Sequence, residues 1–128
     1  MKELTKAEEQ IMQYLWKLKK GFLKDIMEQF PEPKPAYTTV STVIRVMVNK
    51  GFIGYNTYGK VNEYFPKVTK RAYAKSFFSG VFNSFFDQSA SGFTSFFTKE
   101  TDLSITDLEE MKQIIEQQIQ ERKEGGND

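Results

Sequence analysis

Thr38-Thr39-Val40-Ser41-Thr42-Val43-Ile44-Arg45-Val46-Met47-Val48-Asn49-Lys50-Gly51 is the stretch on which the fold turns. Val40, Val43, Ile44, Met47 and Val48 recur at i, i+3, i+4, i+7 and i+8, the spacing that gathers apolar side chains on one face of an α-helix. Thr38, Ser41, Thr42, Arg45 and Asn49 fall on the opposite face, and none is acidic. Lys50-Gly51 ends the helix. Phe52-Ile53-Gly54-Tyr55-Asn56-Thr57 then alternates, Tyr58-Gly59-Lys60 turns, and Val61-Asn62-Glu63-Tyr64-Phe65 returns before the breaker Pro66. This predicts a β-hairpin with a basic, aromatic tip.

Upstream, Thr5 followed three residues later by Glu8 is a capping box that starts a first helix. Ile11, Met12, Leu15, Trp16 and Leu18 form its apolar stripe, Gly21 ends it, and Lys17, Lys19 and Lys20 suit its negative end. Leu23, Ile26, Met27 and Phe30 make a short second helix, which Pro31, Pro33 and Pro35 stop. Three helices and a hairpin within about 65 residues are the layout of a winged helix-turn-helix, expected over residues 1–68.

Downstream, Thr69 can cap a fourth helix whose Tyr73, Phe77, Phe78, Val81, Phe82, Phe85 and Phe86 cover more than a narrow stripe. Gln88-Ser89-Ala90-Ser91-Gly92 reads as a bend, and Phe93-Thr94-Ser95-Phe96-Phe97 as a second apolar patch. Ser104-Ile105-Thr106-Asp107 is a fresh capping signal, and Leu108, Met111, Ile114, Ile115 and Ile119 form the apolar face of a last helix. The fold class is therefore mainly α (α+β), with a helical dimerisation domain over 69–122. The chain from Glu121 on reads as fraying, with a flexible tail over 123–128.

The composition limits what such a fold can do. With 128 residues the chain is short enough to need a partner to complete a core, and twelve Phe with six Tyr demand burial. There is no Cys and no His, which removes disulfides, thiolate metal sites, the commonest metal ligand and the commonest general base. No cofactor or metal is expected, and an enzyme is disfavoured. The start of the chain lacks a signal-peptide core, and no apolar run approaches the roughly 18 residues of a membrane span, so a cytoplasmic protein without membrane insertion is expected.

Charge separates the two halves. Met1 to Lys75 holds 14 Lys/Arg against 7 Asp/Glu, a net of +7, and the remainder holds 4 against 10, a net of −6. The front half suits a polyanion and the rear half does not. Arg45 can make a bidentate bond to guanine, while Thr38, Thr39, Ser41 and Thr42 can reach bases or phosphates of double-stranded operator DNA. Any solvated helix face carries such residues; the hairpin and the basic balance decide for DNA. Tyr58, Lys60 and Asn62 are placed to press on the phosphate backbone or minor groove.

The Phe-rich rear half lacks the cations of a membrane-surface helix, since none stands between Lys75 and Lys99. Phe78, Phe82 and Phe85, with Leu108, Met111, Ile115 and Ile119, are read as the core of a homodimer, whose symmetry matches a palindromic operator. A regulator sensing a small molecule in an aromatic pocket and a protein-interaction adaptor are the alternatives. Glu8/Glu9 and Glu109/Glu110 are neighbours whose side chains diverge on a helix, and are read as solvated surface.

Several of these elements together bring a family into view. Leu4-Thr5 through Glu8 to Ile11-Met12 and Leu15-Trp16, Thr39 to Ile44 through Met47 to Lys50-Gly51-Phe52-Ile53, and Asp102-Leu103-Ser104 with Leu108 and Ile114-Ile115 resemble the penicillinase and methicillin-resistance repressors over nearly the whole chain. The resemblance implies a repressor that sits as a homodimer on a palindromic operator with each third helix in a major groove. It also implies relief of repression by proteolysis in the dimerisation region, triggered by a membrane sensor with a metalloprotease domain. Members so regulated are cut at an Asn-Phe bond shortly before the Asp-Leu-Ser element, where this chain has Thr94-Ser95-Phe96-Phe97-Thr98. Copper-responsive relatives use C-terminal cysteines, which this chain lacks.

Overall fold

The computed structural model describes residues 1–126; the last two residues of the expected tail, Asn127 and Asp128, lie outside them. The chain divides into two compact units, Met1–Gly80 and Val81–Asp128.

In the first unit, α1 (Lys6–Leu18) opens on both arms of the capping box: the Glu8 amide donates to the Thr5 hydroxyl at 3.2 Å, and the Thr5 amide to the Glu8 carboxylate at 3.0 Å. Ile11, Met12 and Leu15 are buried at its inner face. The helix stops earlier than Gly21, at Lys19, whose φ of 72° turns the chain while its amide donates to the Leu15 carbonyl at 2.7 Å. Gly21 has a different duty: it is buried in β1 (Gly21–Phe22), where a Cβ would stand 3.3 Å from that of Asp25. Two residues are too few to show alternation, which is why β1 is invisible in the sequence pattern. The Phe22 amide then donates to the Asp25 carboxylate at 2.8 Å and starts α2 (Leu23–Gln29), which buries Ile26.

Beyond the proline loop, α3 (Tyr37–Asn49) turns Val40, Ile44 and Met47 into the core. Its end is a Schellman motif: the Phe52 amide reaches the Met47 carbonyl at 3.0 Å and the Gly51 amide reaches that of Val48 at 3.1 Å, with Gly51 at φ 86°. A side chain at Gly51 would be strained there, which explains the Lys-Gly pair.

Antiparallel strands β2 (Ile53–Tyr58) and β3 (Val61–Pro66) follow, joined by Gly59-Lys60 with Gly59 at φ 63°, and β1 adds on the other side to give the order β1-β3-β2. Pro66 does not break the strand but is its last paired residue, opposite Ile53. β1 reaches only Glu63 and Tyr64, so Pro66 has one neighbouring strand to satisfy, a position proline tolerates. Together these elements form the winged helix-turn-helix.

Thr69 accepts from the Ala72 amide at 3.0 Å and starts α4 (Lys70–Phe85). The first unit runs to Gly80, because the start of α4 is fastened to it. The buried Tyr73 hydroxyl accepts from the Leu4 amide at 2.8 Å, and the Trp16 indole donates to the Val68 carbonyl at 2.8 Å.

In the second unit, Asp87 and Gln88 turn the chain at φ 49° and 59°. The bend is confined to these residues: Ser89 is an N-cap, and Ala90-Ser91-Gly92 is already the first turn of α5 (Ala90–Glu100). α6 (Ile105–Glu124) starts on the Ser104–Asp107 capping box and continues to Glu124 rather than fraying from Glu121, its last turn carrying Arg122 and Lys123 against the negative helix end. The phenylalanines pack on one another: Phe86 lies 5.5 Å from Phe93 and 5.4 Å from Phe96 between ring centroids, and Phe93 stacks on Phe97 at 5.5 Å. Even so, among the described residues none from Val81 on is buried. Among the described residues, no helix is long and apolar enough to cross a membrane.

Candidate nucleic-acid interface

The face of α3 turned away from the core carries Thr38, Thr39, Thr42, Arg45 and Asn49, all exposed. Ser41 is half-buried, at the edge of this face rather than on it. The face also includes Val46, 41% exposed, which the apolar count of the sequence passes over because it belongs to neither stripe. Its position, four residues after Thr42 and three before Asn49, is the signal that could have found it.

Strand pairing sets what meets this helix. Tyr55 stands opposite Tyr64 and Thr57 opposite Asn62, so these four side chains share one face of the hairpin. The tyrosine rings lie 6.1 Å apart, and the Thr57 hydroxyl donates to the Asn62 side-chain carbonyl at 2.8 Å. Ser41, Arg45, Val48 and Asn49 of α3 and Tyr55, Asn62 and Tyr64 of the hairpin enclose an open cleft of about 390 Å³. Its lining holds one guanidinium, hydroxyls and carboxamides, and no carboxylate. Ser41, Arg45 and Asn62 thus come together as one site, and Tyr55 and Tyr64 join them unforeseen, since cross-strand register, which the sequence pattern leaves open, decides their side.

The wing residues do not act from one surface. Tyr58 lies on the opposite face of the hairpin from Asn62, with its ring 6.2 Å from Phe22. Lys60 and Asn62 line a second groove of about 490 Å³ with Phe22, Lys24, Tyr37 and Val61.

One expectation fails: Glu8 is not solvated but buried, 4% exposed. Its carboxylate takes the Lys50 ammonium at 2.8 Å, joining the start of α1 to the end of α3. Burial alone would raise its pKa, but the Lys50 ion pair and the Thr5 amide and hydroxyl outweigh this and hold it below the ordinary carboxylate value. Glu8 is buried while its neighbour Glu9 is exposed, because an N3 carboxylate folded back into a capping box points toward the helix start. Among the described residues no group of three or more acids is placed to hold a metal ion.

In the rear half Phe85 is 77% exposed and Ile115 50%. Phe78, Leu108 and Ile119 are exposed as well, whereas Phe82 and Met111 are partly buried. Ile105, Ile114 and Phe96 are exposed too.

A three-helix head, a hairpin wing and an acid-free outer face on the third helix define a winged-helix regulator of transcription. The sequence model of the penicillinase repressor family matches residues 4–117, and the chain belongs to that family of transcriptional repressors. It is 20% identical to the penicillinase repressor of Bacillus licheniformis over 123 residues, covering 95% of this chain and 96% of that protein.

Proposed function

We propose that the protein binds a palindromic operator as a homodimer and blocks transcription from it. The observation that carries this reading is the outer face of α3, exposed, hydrogen-bonding and without a carboxylate, on a unit with net charge +7. Thr38, Thr39, Thr42 and Arg45 enter the major groove, while Ser41 and Asn62, from the polar cleft beside Arg45, receive the sugar-phosphate backbone at its edge. Lys60 and Tyr58 extend the contact along the wing.

Self-association is supported by the absence, among the described residues from Val81 on, of any buried one, beside the exposed Phe85, Ile115 and Ile119. Phe78, Phe82, Phe85, Leu108, Met111, Ile115 and Ile119 supply the contact, as apolar faces this extensive are stable when covered.

Repression ends by proteolysis in the dimerisation region, through a membrane metalloprotease sensor. Thr94-Ser95-Phe96-Phe97-Thr98, which stands where the cleaved members have their Asn-Phe bond, lies inside α5, so a protease must unwind that helix to cut there. The test is selection of bound genomic fragments by the full chain, followed by titration at several salt concentrations. Specific fragments whose log affinity falls linearly with log salt support the reading. Absence of salt-dependent binding to any duplex overturns it.

A further inference from the structure

Val46 is placed where neither the core nor helix propensity asks for it. Its side chain is 41% exposed, and a β-branched residue in an exposed helix interior is a poorer helix former than Ala or Lys. One exposed valine on a protein surface is ordinary; this one lies amid Thr39, Thr42, Arg45 and Asn49, on an otherwise hydrogen-bonding face. One turn before it, the Thr42 hydroxyl donates to the Thr38 carbonyl at 2.9 Å, so its proton is engaged within the helix. What Thr42 has left to offer a partner is its γ-methyl and its oxygen lone pairs. Val46 and Thr42, at i and i+4, therefore form a small apolar strip on the face assigned to DNA.

The major groove presents one apolar feature among its donors and acceptors, the 5-methyl group of thymine. We propose that Val46, together with the Thr42 methyl, is a specificity-determining contact that selects thymine by this methyl group at one position of each half-site. The inference rests on the DNA reading of α3 and extends it from the class of partner to a base. Cytosine at that position is rejected because it lacks the methyl, and Arg45 reads its neighbour by hydrogen bonds instead.

The experiment takes an operator selected from random duplexes by the full chain. Thymines of both half-sites are replaced one at a time by deoxyuridine, which removes only the 5-methyl, and affinity is measured by fluorescence anisotropy. At one position per half-site the wild type is expected to bind about fourfold more weakly, the effect of one methyl group leaving a contact. Val46→Ala is expected to lose most of that penalty there, leaving only the share of the Thr42 methyl, while keeping its sensitivity elsewhere, and Val46→Thr, which retains one methyl, to be intermediate. Alanine at an exposed helical site keeps the helix, and circular dichroism checks this. If Val46→Ala retains the full uracil penalty at every position, the thymine contact is refuted and the DNA reading stands. Failure of the wild type to select any duplex overturns both.

Discussion

Removing the Glu8 carboxylate tests whether α1 and α3 are clamped as the structure describes. In Glu8→Ala the Thr5 amide loses its acceptor at 3.0 Å and the Lys50 ammonium its partner at 2.8 Å. Losing one arm of a helix cap costs about 1 kcal/mol. A hydrogen bond to a charged group is worth about 1.5–3 kcal/mol when buried, but the Lys50 side chain is 33% exposed and rehydrates, which brings this share down to about 1 kcal/mol. The sum, about 2 kcal/mol, corresponds to a fall in Tm of about 10 °C by calorimetry at neutral pH. Glu8→Gln, which keeps an acceptor for the Thr5 amide and loses the charge, falls between. Because the folded-state pKa of Glu8 is lowered, its stabilisation is fully present above the ordinary carboxylate value and is lost as pH falls through the lower folded-state value. The gap between wild type and Glu8→Ala therefore closes on acidification. A variant melting within about 2 °C of wild type at pH 7, or a gap undiminished near pH 3, would refute the clamp.

Arg45→Ala is expected to weaken operator binding by about tenfold or more in a titration, with relaxed preference at one base pair, if the guanidinium reads a base. Ile115→Glu puts a charge on an exposed apolar face of α6 and should give a monomer in sedimentation with unchanged helix content; a stable dimer places the interface elsewhere. Tyr73→Phe removes the hydroxyl that accepts from the Leu4 amide at 2.8 Å and should cost about 1–2 kcal/mol in urea, followed by fluorescence of the neighbouring Trp16. At Gly54 a Cβ would stand 2.6 Å from the Phe65 ring, so Gly54→Ala should displace that ring and lose about 1 kcal/mol, read by thermal denaturation.

The sequence by itself determined the three helices, the hairpin and the acid-free face of α3, since each rests on local rules. Helical period placed Val40, Ile44 and Met47 inside, and Thr5 with Glu8 and Ser104 with Asp107 marked helix starts through contacts three residues apart. The Lys50-Gly51 stop and the Gly59 turn are likewise matters of backbone torsion within a few residues. What the tertiary structure decided depends on partners distant in the chain. Glu8 is buried because Lys50, 42 residues away, meets it. Gly21 is a strand residue rather than a helix stop because Tyr64 pairs with it, and Tyr55 and Tyr64 join Arg45 because hairpin register sets their side. Val46 belongs to the outer face of α3 because the core packs on the other side of that helix, and no local propensity records which turn of a helix its neighbours will cover.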